Sequence, residues 1–176
     1  AVAALLSAAQ GFAVGWVRAN PIIVSIATLA LIYGVAEIFA SHSAVYPRPG
    51  SGYEIFKGKL AGVPIEFVVF LCVTAVGQFI LSSTRFGRNL YMIGSSFPAA
   101  EAAGVKTWRT ITGAYLWAGI FTGFSGIMLA IRYDGANMAY GTGYDYDAVA
   151  AVLVGGTAIK GGQGSVLRTL AGAMII

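Results

Sequence analysis

His42 and Cys72 are the single histidine and single cysteine of the 176 residues, and they lie 30 positions apart. A transition-metal site needs several nitrogen and sulfur ligands at matched spacing, so no metal centre is expected. A lone cysteine inside an apolar run offers no disulfide framework and reads as a small packing residue. The run GGTAIKGGQGS (155–165) has the composition of a phosphate loop, but Lys160 is followed by Gly161 where the GxxxxGK[ST] frame requires Ser or Thr. Nor does it fit GxGxxG placed after a strand. No catalytic set is visible, no cofactor is expected, and the chemistry left to the chain is that of binding and passage.

The remaining polar groups sit within apolar stretches. Glu37 is the acidic residue lying well within one of them, and an ionisable group at such a place is a functional candidate. It is also about one turn from Ser41, where a carboxylate reaches the membrane interface. Ser25, Tyr33 and Glu37, with Thr28 beside them, share a face of the same stretch. That face either lines a polar route for a solute or supplies hydrogen bonds between helices.

Apolar residues make up 57% of the chain and charged residues 10%, against about 25% charge in an ordinary soluble domain. So few charges cannot cover a water-soluble surface. A helical membrane span needs about 20 mostly apolar residues, and the runs 1–17, 21–40, 65–83 and 110–131 are read as spans. Asn20 and Pro21 suit the start of the second. The stretch 41–63, rich in Gly, Pro, Tyr and charge, reads as a loop outside the hydrocarbon. The shorter runs 145–154 and 165–176 read as half-helices broken at glycines, with Asp145 and Asp147 at the positive end of the first and Ser165 capping the second. Such breaks are tolerated in a membrane only where protein buries them or a cavity is lined. Gly119, Gly123 and Gly126 form a small-residue surface for close helix packing. The expected class is therefore all-α: a polytopic helical membrane protein in which residues 1–176 are part of one transmembrane domain. The start at Ala1 and the end in an apolar run predict truncation at both ends.

The eleven Lys and Arg residues form no basic stripe, so lipid and not nucleic acid is the expected environment. The segment 84–109 carries Arg85, Arg88, Lys106 and Arg109 against Glu101, which predicts a cytoplasmic loop. Counted over all loops the bias is weak, since the opposite side holds Arg48, Lys57, Lys59 and Arg132. Within the loop, Phe97, Pro98, Ala99, Ala100, Glu101, Ala102, Ala103 and Gly104 have the proline-first, glycine-last order of a short helix. One so short is unstable alone. It must lie on the membrane or dock into a partner, and its small alanines with one exposed aromatic, Phe97, favour docking.

The run TRFGRNLYMIGSSFPAAEAAGV, followed after one span by GTGYDYDAVAAVLVGGTAIKGGQGS, resembles the permeases of ribose- and xylose-type ATP-binding cassette importers, as do NPIIVSIATLALIYG and the GVP before the third span. The chain departs from that family's pattern at Phe97, at Gln163 and in the extra alanines before Glu101. The resemblance implies a bacterial inner-membrane permease that works with a second permease copy or homologue. It also implies a cytoplasmic ATP-binding subunit that hydrolyses ATP, and an external solute-binding protein that delivers a pentose-like sugar. It assigns residues 97–104 as the coupling helix that the ATP-binding subunit moves, tilting the fourth span. The residues themselves leave room for an ion-coupled secondary transporter or channel, for which broken half-helices are also expected, although an ionisable group along the route is then missing.

Overall fold

The computed structural model describes residues 2–40, 46, 58–60, 62–137 and 139–176. Most of the 41–63 loop, His42 included, lies outside the described residues. The described elements are α1 (Val2–Gly15), α2 (Pro21–Ala40), β1 (Lys59–Leu60), β2 (Val63–Pro64), α3 (Ile65–Ser83), α4 (Arg85–Ser95), α5 (Phe97–Ala102), α6 (Thr107–Arg132), α7 (Tyr144–Val154) and α8 (Val166–Ile175). The two strands form a small antiparallel hairpin, and the other elements among the described residues are helices. Helices α2, α3 and α6 are each long and apolar enough to cross a membrane. Helix α1 has 14 residues and, at about 1.5 Å each, is shorter than they are.

Packing centres on α1 against α6. Gly15 of α1 faces Trp108, Gly11 faces Thr112 and Tyr115, Ser7 faces Gly119, and Ala3 faces Gly123. Positions rise along one helix as they fall along the other, so the pair is antiparallel. The contact residues of α1 recur every fourth position, which lines Ala3, Ser7, Gly11 and Gly15 along one side. With no large side chain between them the backbones meet, and the Thr112 hydroxyl donates to the Gly11 carbonyl at 3.1 Å. A Cβ on Gly126 would meet nothing within 4 Å, so this glycine stands off the α1 seam.

The segment 85–95, within the cytoplasmic loop expected from its charge, is helical. It folds as α4, because Phe86, Leu90 and Ile93 recur at helical spacing and are half-buried, while Arg85 and Arg88 are exposed. Thr84 starts it, accepting from the Gly87 amide at 3.2 Å while donating to the Ile80 carbonyl at 2.6 Å. One residue thus joins α3 to α4, and a side chain at Gly87 would strike the Leu81 carbonyl. At the opposite end of α3, Glu66 lies 3.7 Å from Arg132 of α6.

Helices α7 and α8 form an antiparallel hairpin in which Gly172 meets the Ala151 carbonyl and Gly155 meets Arg168 and Thr169. Asp145 and Asp147 lie in the first turn of α7. Ser165 does not cap α8 through its side chain; the carboxamide of Gln78 on α3 does. Its oxygen accepts from Val166 N at 3.1 Å, Leu167 N at 3.4 Å and the Ser165 hydroxyl at 3.3 Å.

Candidate functional site

Helix α5 is fixed at both ends by its own sequence. The Ser96 hydroxyl accepts from Ala99 N at 3.4 Å, and Pro98 occupies the first turn, where its missing N–H is no loss. At the other end Gly104 adopts φ +79°, which lets Gly104 N donate to Glu101 O at 2.9 Å and Val105 N to Ala100 O at 3.0 Å. Those two bonds are the paired closure of a glycine-terminated helix. Six residues therefore hold a helix that nucleation alone would not support.

The eight residues singled out in 97–104 divide into two sets. Ala100 is wholly buried, at 0% exposure, and faces the rest of the chain. Phe97 is half-buried, not the free aromatic anticipated, because the Arg18 guanidinium sits 5.3 Å from its ring centroid. Glu101 is exposed but engaged: its Oε1 lies 2.7 Å from Arg18 Nη2 and accepts from the Thr107 hydroxyl at 3.5 Å. Pro98, Ala99, Ala102, Ala103 and Gly104 are exposed and present a low surface without long side chains. The cations Arg85, Arg88, Lys106 and Arg109 flank it in sequence, and all four are exposed.

The turn 155–165 belongs to the same end of the molecule. Gly161 and Gly162 both have positive φ, and their backbone lies directly on Gly94 and Ser95 at the end of α4. A Cβ at Gly94 would strike the Gly162 amide nitrogen, and one at Gly162 would lie 2.5 Å from the Ser95 hydroxyl oxygen. The Tyr91 hydroxyl donates to the Gly164 carbonyl at 2.6 Å. A cavity of about 380 Å³ remains between them, lined by Leu81, Leu90, Tyr91, Val152, Gln163 and Val166 among others. The turn between α7 and α8 is covered only in part: Gly155 is buried, whereas Ile159 is 86% exposed and Gly156, Lys160, Gly161 and Gln163 are exposed.

The polar residues of α2 are placed differently. Thr28 donates to the Val24 carbonyl of its own helix at 2.9 Å, Ser25 and Tyr33 are exposed, and Glu37 is half-buried. At about 100° per residue the four positions cover about half of the helix circumference. None of them lines the cavity between α4 and the 155–165 turn.

Sequence reasoning missed three participants. Arg18 is 83 positions from its partner Glu101, and nothing local marks it out among the cations. Gln78 gave no signal as a cap for α8. The α1 stripe was readable, since Ala3, Ser7, Gly11 and Gly15 stand at four-residue intervals.

Buried backbone-on-backbone seams, long apolar helices and one short, capped helix on an end surface define a polytopic helical membrane protein. The sequence matches, over residues 1–176, the family described as branched-chain amino acid transport system / permease component, and the chain belongs to that family. It is 27% identical to the ribose import permease protein of Haemophilus influenzae, over 99% of this chain and 55% of that protein. Against the D-allose transport system permease protein of Escherichia coli the identity is 26%, over 99% of this chain and 54% of the relative. Against the ribose import permease protein of Bacillus subtilis it is 30%, over 89% and 49%. The chain spans about half the length of these relatives. No solved structure matches it.

Proposed function

We propose that this chain is part of the permease subunit of an ATP-driven sugar importer in a bacterial inner membrane, and that α5 is where a cytoplasmic ATP-binding subunit docks. The observation that carries this reading is α5 itself, a helix capped at both ends whose outer surface is proline, alanine and glycine. Small residues on a rigid helix suit insertion into a groove, because little side-chain entropy is lost on docking. The cations around it fit the cytoplasmic side. The relatives' names, ribose and D-allose permeases, supply the solute class.

In this reading an external solute-binding protein delivers the sugar, a second permease copy completes the route, and ATP is hydrolysed in the separate subunit. Closure of the ATP-binding subunits displaces α5. The backbone seam between α1 and α6 and the glycine contact between α4 and the 155–165 turn keep those pairs together as rigid units. The route then opens by their relative movement, since close-packed units change arrangement by discrete steps. Ser25, Thr28, Tyr33 and Glu37 are the proposed polar contacts along that route. Gly119 and Gly123 hold the rigid α1–α6 unit, and Gly126 is left as a contact for another span.

The test is ATP hydrolysis by the complete importer in lipid, with its binding protein and a panel of sugars. Stimulation by a pentose or hexose is expected. Hydrolysis indifferent to every loaded binding protein, or uptake driven by an ion gradient without ATP, would refute the reading.

A further inference from the structure

Arg18 is the one described residue whose side chain meets α5 from the α1–α2 turn by both charge and stacking. Phe97 and Glu101 are four residues apart and so share a face of α5. The Arg18 guanidinium covers both, 5.3 Å from the Phe97 ring centroid and 2.7 Å from the Glu101 carboxylate. A planar guanidinium can stack and donate at once, which a lysine cannot. To reach this position the Arg18 backbone adopts φ +56°, uncommon for a residue with a side chain.

The turn that carries Arg18 is itself anchored. Gly15 lies against the Trp108 backbone, and the Trp16 ring meets the Trp108 ring edge-on at 5.3 Å. On its other side only Ala19 and Asn20 separate Arg18 from α2, and Asn20 caps that helix by accepting from Ile22 N at 2.9 Å. The path from α5 to α2 is therefore short: the Glu101–Arg18 ion pair, the two residues Ala19 and Asn20, and the Asn20 cap. The covalent path from α5 to α6 runs instead through the Gly104 bend, and the Thr107 hydroxyl contact with the same Glu101 oxygen is long, at 3.5 Å.

We infer that Arg18 is a positioning residue that ties the docking helix to the α1–α2 turn, so that a displacement of α5 is delivered to α2. The inference rests on the docking role proposed for α5. The pair is a poor structural device, because its side chains are 66% and 42% exposed and exposed pairs add little to stability. Its value lies in fixing α5 relative to α2.

Two measurements test this, both in the Cys72→Ser background. In the complete reconstituted importer, Arg18→Ala should leave expression and copurification of the ATP-binding subunit intact. It should lower solute imported per ATP hydrolysed about tenfold, within the usual range of coupling between sites. Arg18→Lys should recover part of the loss, and the exchange Arg18→Glu with Glu101→Arg, which restores the ion pair but not the stack on Phe97, should also recover part of it. An unchanged ratio in Arg18→Ala, or an exchange no better than either single change, overturns the inference. The second measurement needs no ATP-binding subunit: spin labels at Ala19→Cys and Ala103→Cys should give a narrow distance distribution that broadens in Arg18→Ala. A broad distribution with Arg18 in place also overturns it. Failure of copurification in the unmodified importer would instead count against docking, so the two failures register separately.

Discussion

Replacing glycines of α6 one at a time with alanine should give a graded series set by the α1 seam. A Cβ at Gly119 would lie 2.5 Å from both Cβ and Oγ of Ser7 and 2.9 Å from the Ala3 carbonyl oxygen, where non-bonded carbon contacts are at about 3.5–4.0 Å. The helices would have to part by about 1 Å, and overpacking of this kind costs about 1–3 kcal/mol. Separation would also stretch the bond from Thr112 to the Gly11 carbonyl, 3.1 Å long at present. A cost of about 2 kcal/mol is about a thirtyfold shift in the folding equilibrium. At Gly123 the added carbon would lie 3.2 Å from the Ala3 Cβ, an adjustment of a few tenths of an ångström costing less than about 1 kcal/mol. At Gly126 it would meet nothing, and alanine should be neutral or mildly stabilising through helix propensity. Thermal unfolding of the purified protein in detergent, followed by loss of its monodisperse elution peak, should rank Gly119→Ala well below Gly123→Ala, with Gly126→Ala equal to the unmodified protein. Ser7→Gly should rescue Gly119→Ala in part, because the Ala3 carbonyl remains. If Gly119→Ala unfolds with Gly126→Ala, the α1–α6 seam is not as described.

Two further outcomes follow from the site. Gln78→Leu removes the acceptor for the first amides of α8, a loss of about 1–2 kcal/mol by the usual worth of helix caps; hydrogen exchange at residues 166–168 should quicken about tenfold, and an unchanged rate would show that another group caps the helix. With Cys72→Ser, a cysteine at Ser96 should react with an impermeant thiol reagent from the cytoplasmic side alone, and one at Asn137 from the outside alone; the reverse pattern would invert the proposed orientation.

The helical class was legible because apolar runs of span length with few charges leave no soluble alternative, and because Pro21, Pro64 and Gly104 mark helix ends by covalent geometry. Helix α4 was hidden by its cations. Arg85 and Arg88 read as loop charge, although Phe86, Leu90 and Ile93 already carried the helical period, and charge on one face does not preclude apolar burial on the other. The partners of α5 were beyond reach for a different reason. Which cation meets Glu101, or which carboxamide meets the α8 amides, depends on how separate helices are set side by side, and a local pattern holds no record of that. The α1 stripe is intermediate: Ala3, Ser7, Gly11 and Gly15 are ordinary small residues until the glycines of α6 stand opposite them.

The central claim, that the exposed alanine surface of α5 is a docking surface for an ATP-binding subunit, is tested most directly by site-specific crosslinking in membranes that hold the complete importer. With Cys72→Ser as background, a cysteine at Ala102, which is exposed, should form a covalent adduct with the ATP-binding subunit through a short bifunctional thiol reagent. A cysteine at Tyr146, which is 77% exposed and lies at the start of α7, should not. Tryptophan at Ala102 should abolish copurification of that subunit while leaving the permease folded, because a bulky ring cannot enter a groove fitted to alanine. Crosslinking at Tyr146 and not at Ala102, with Ala102→Trp still bound and coupled, would contradict the account.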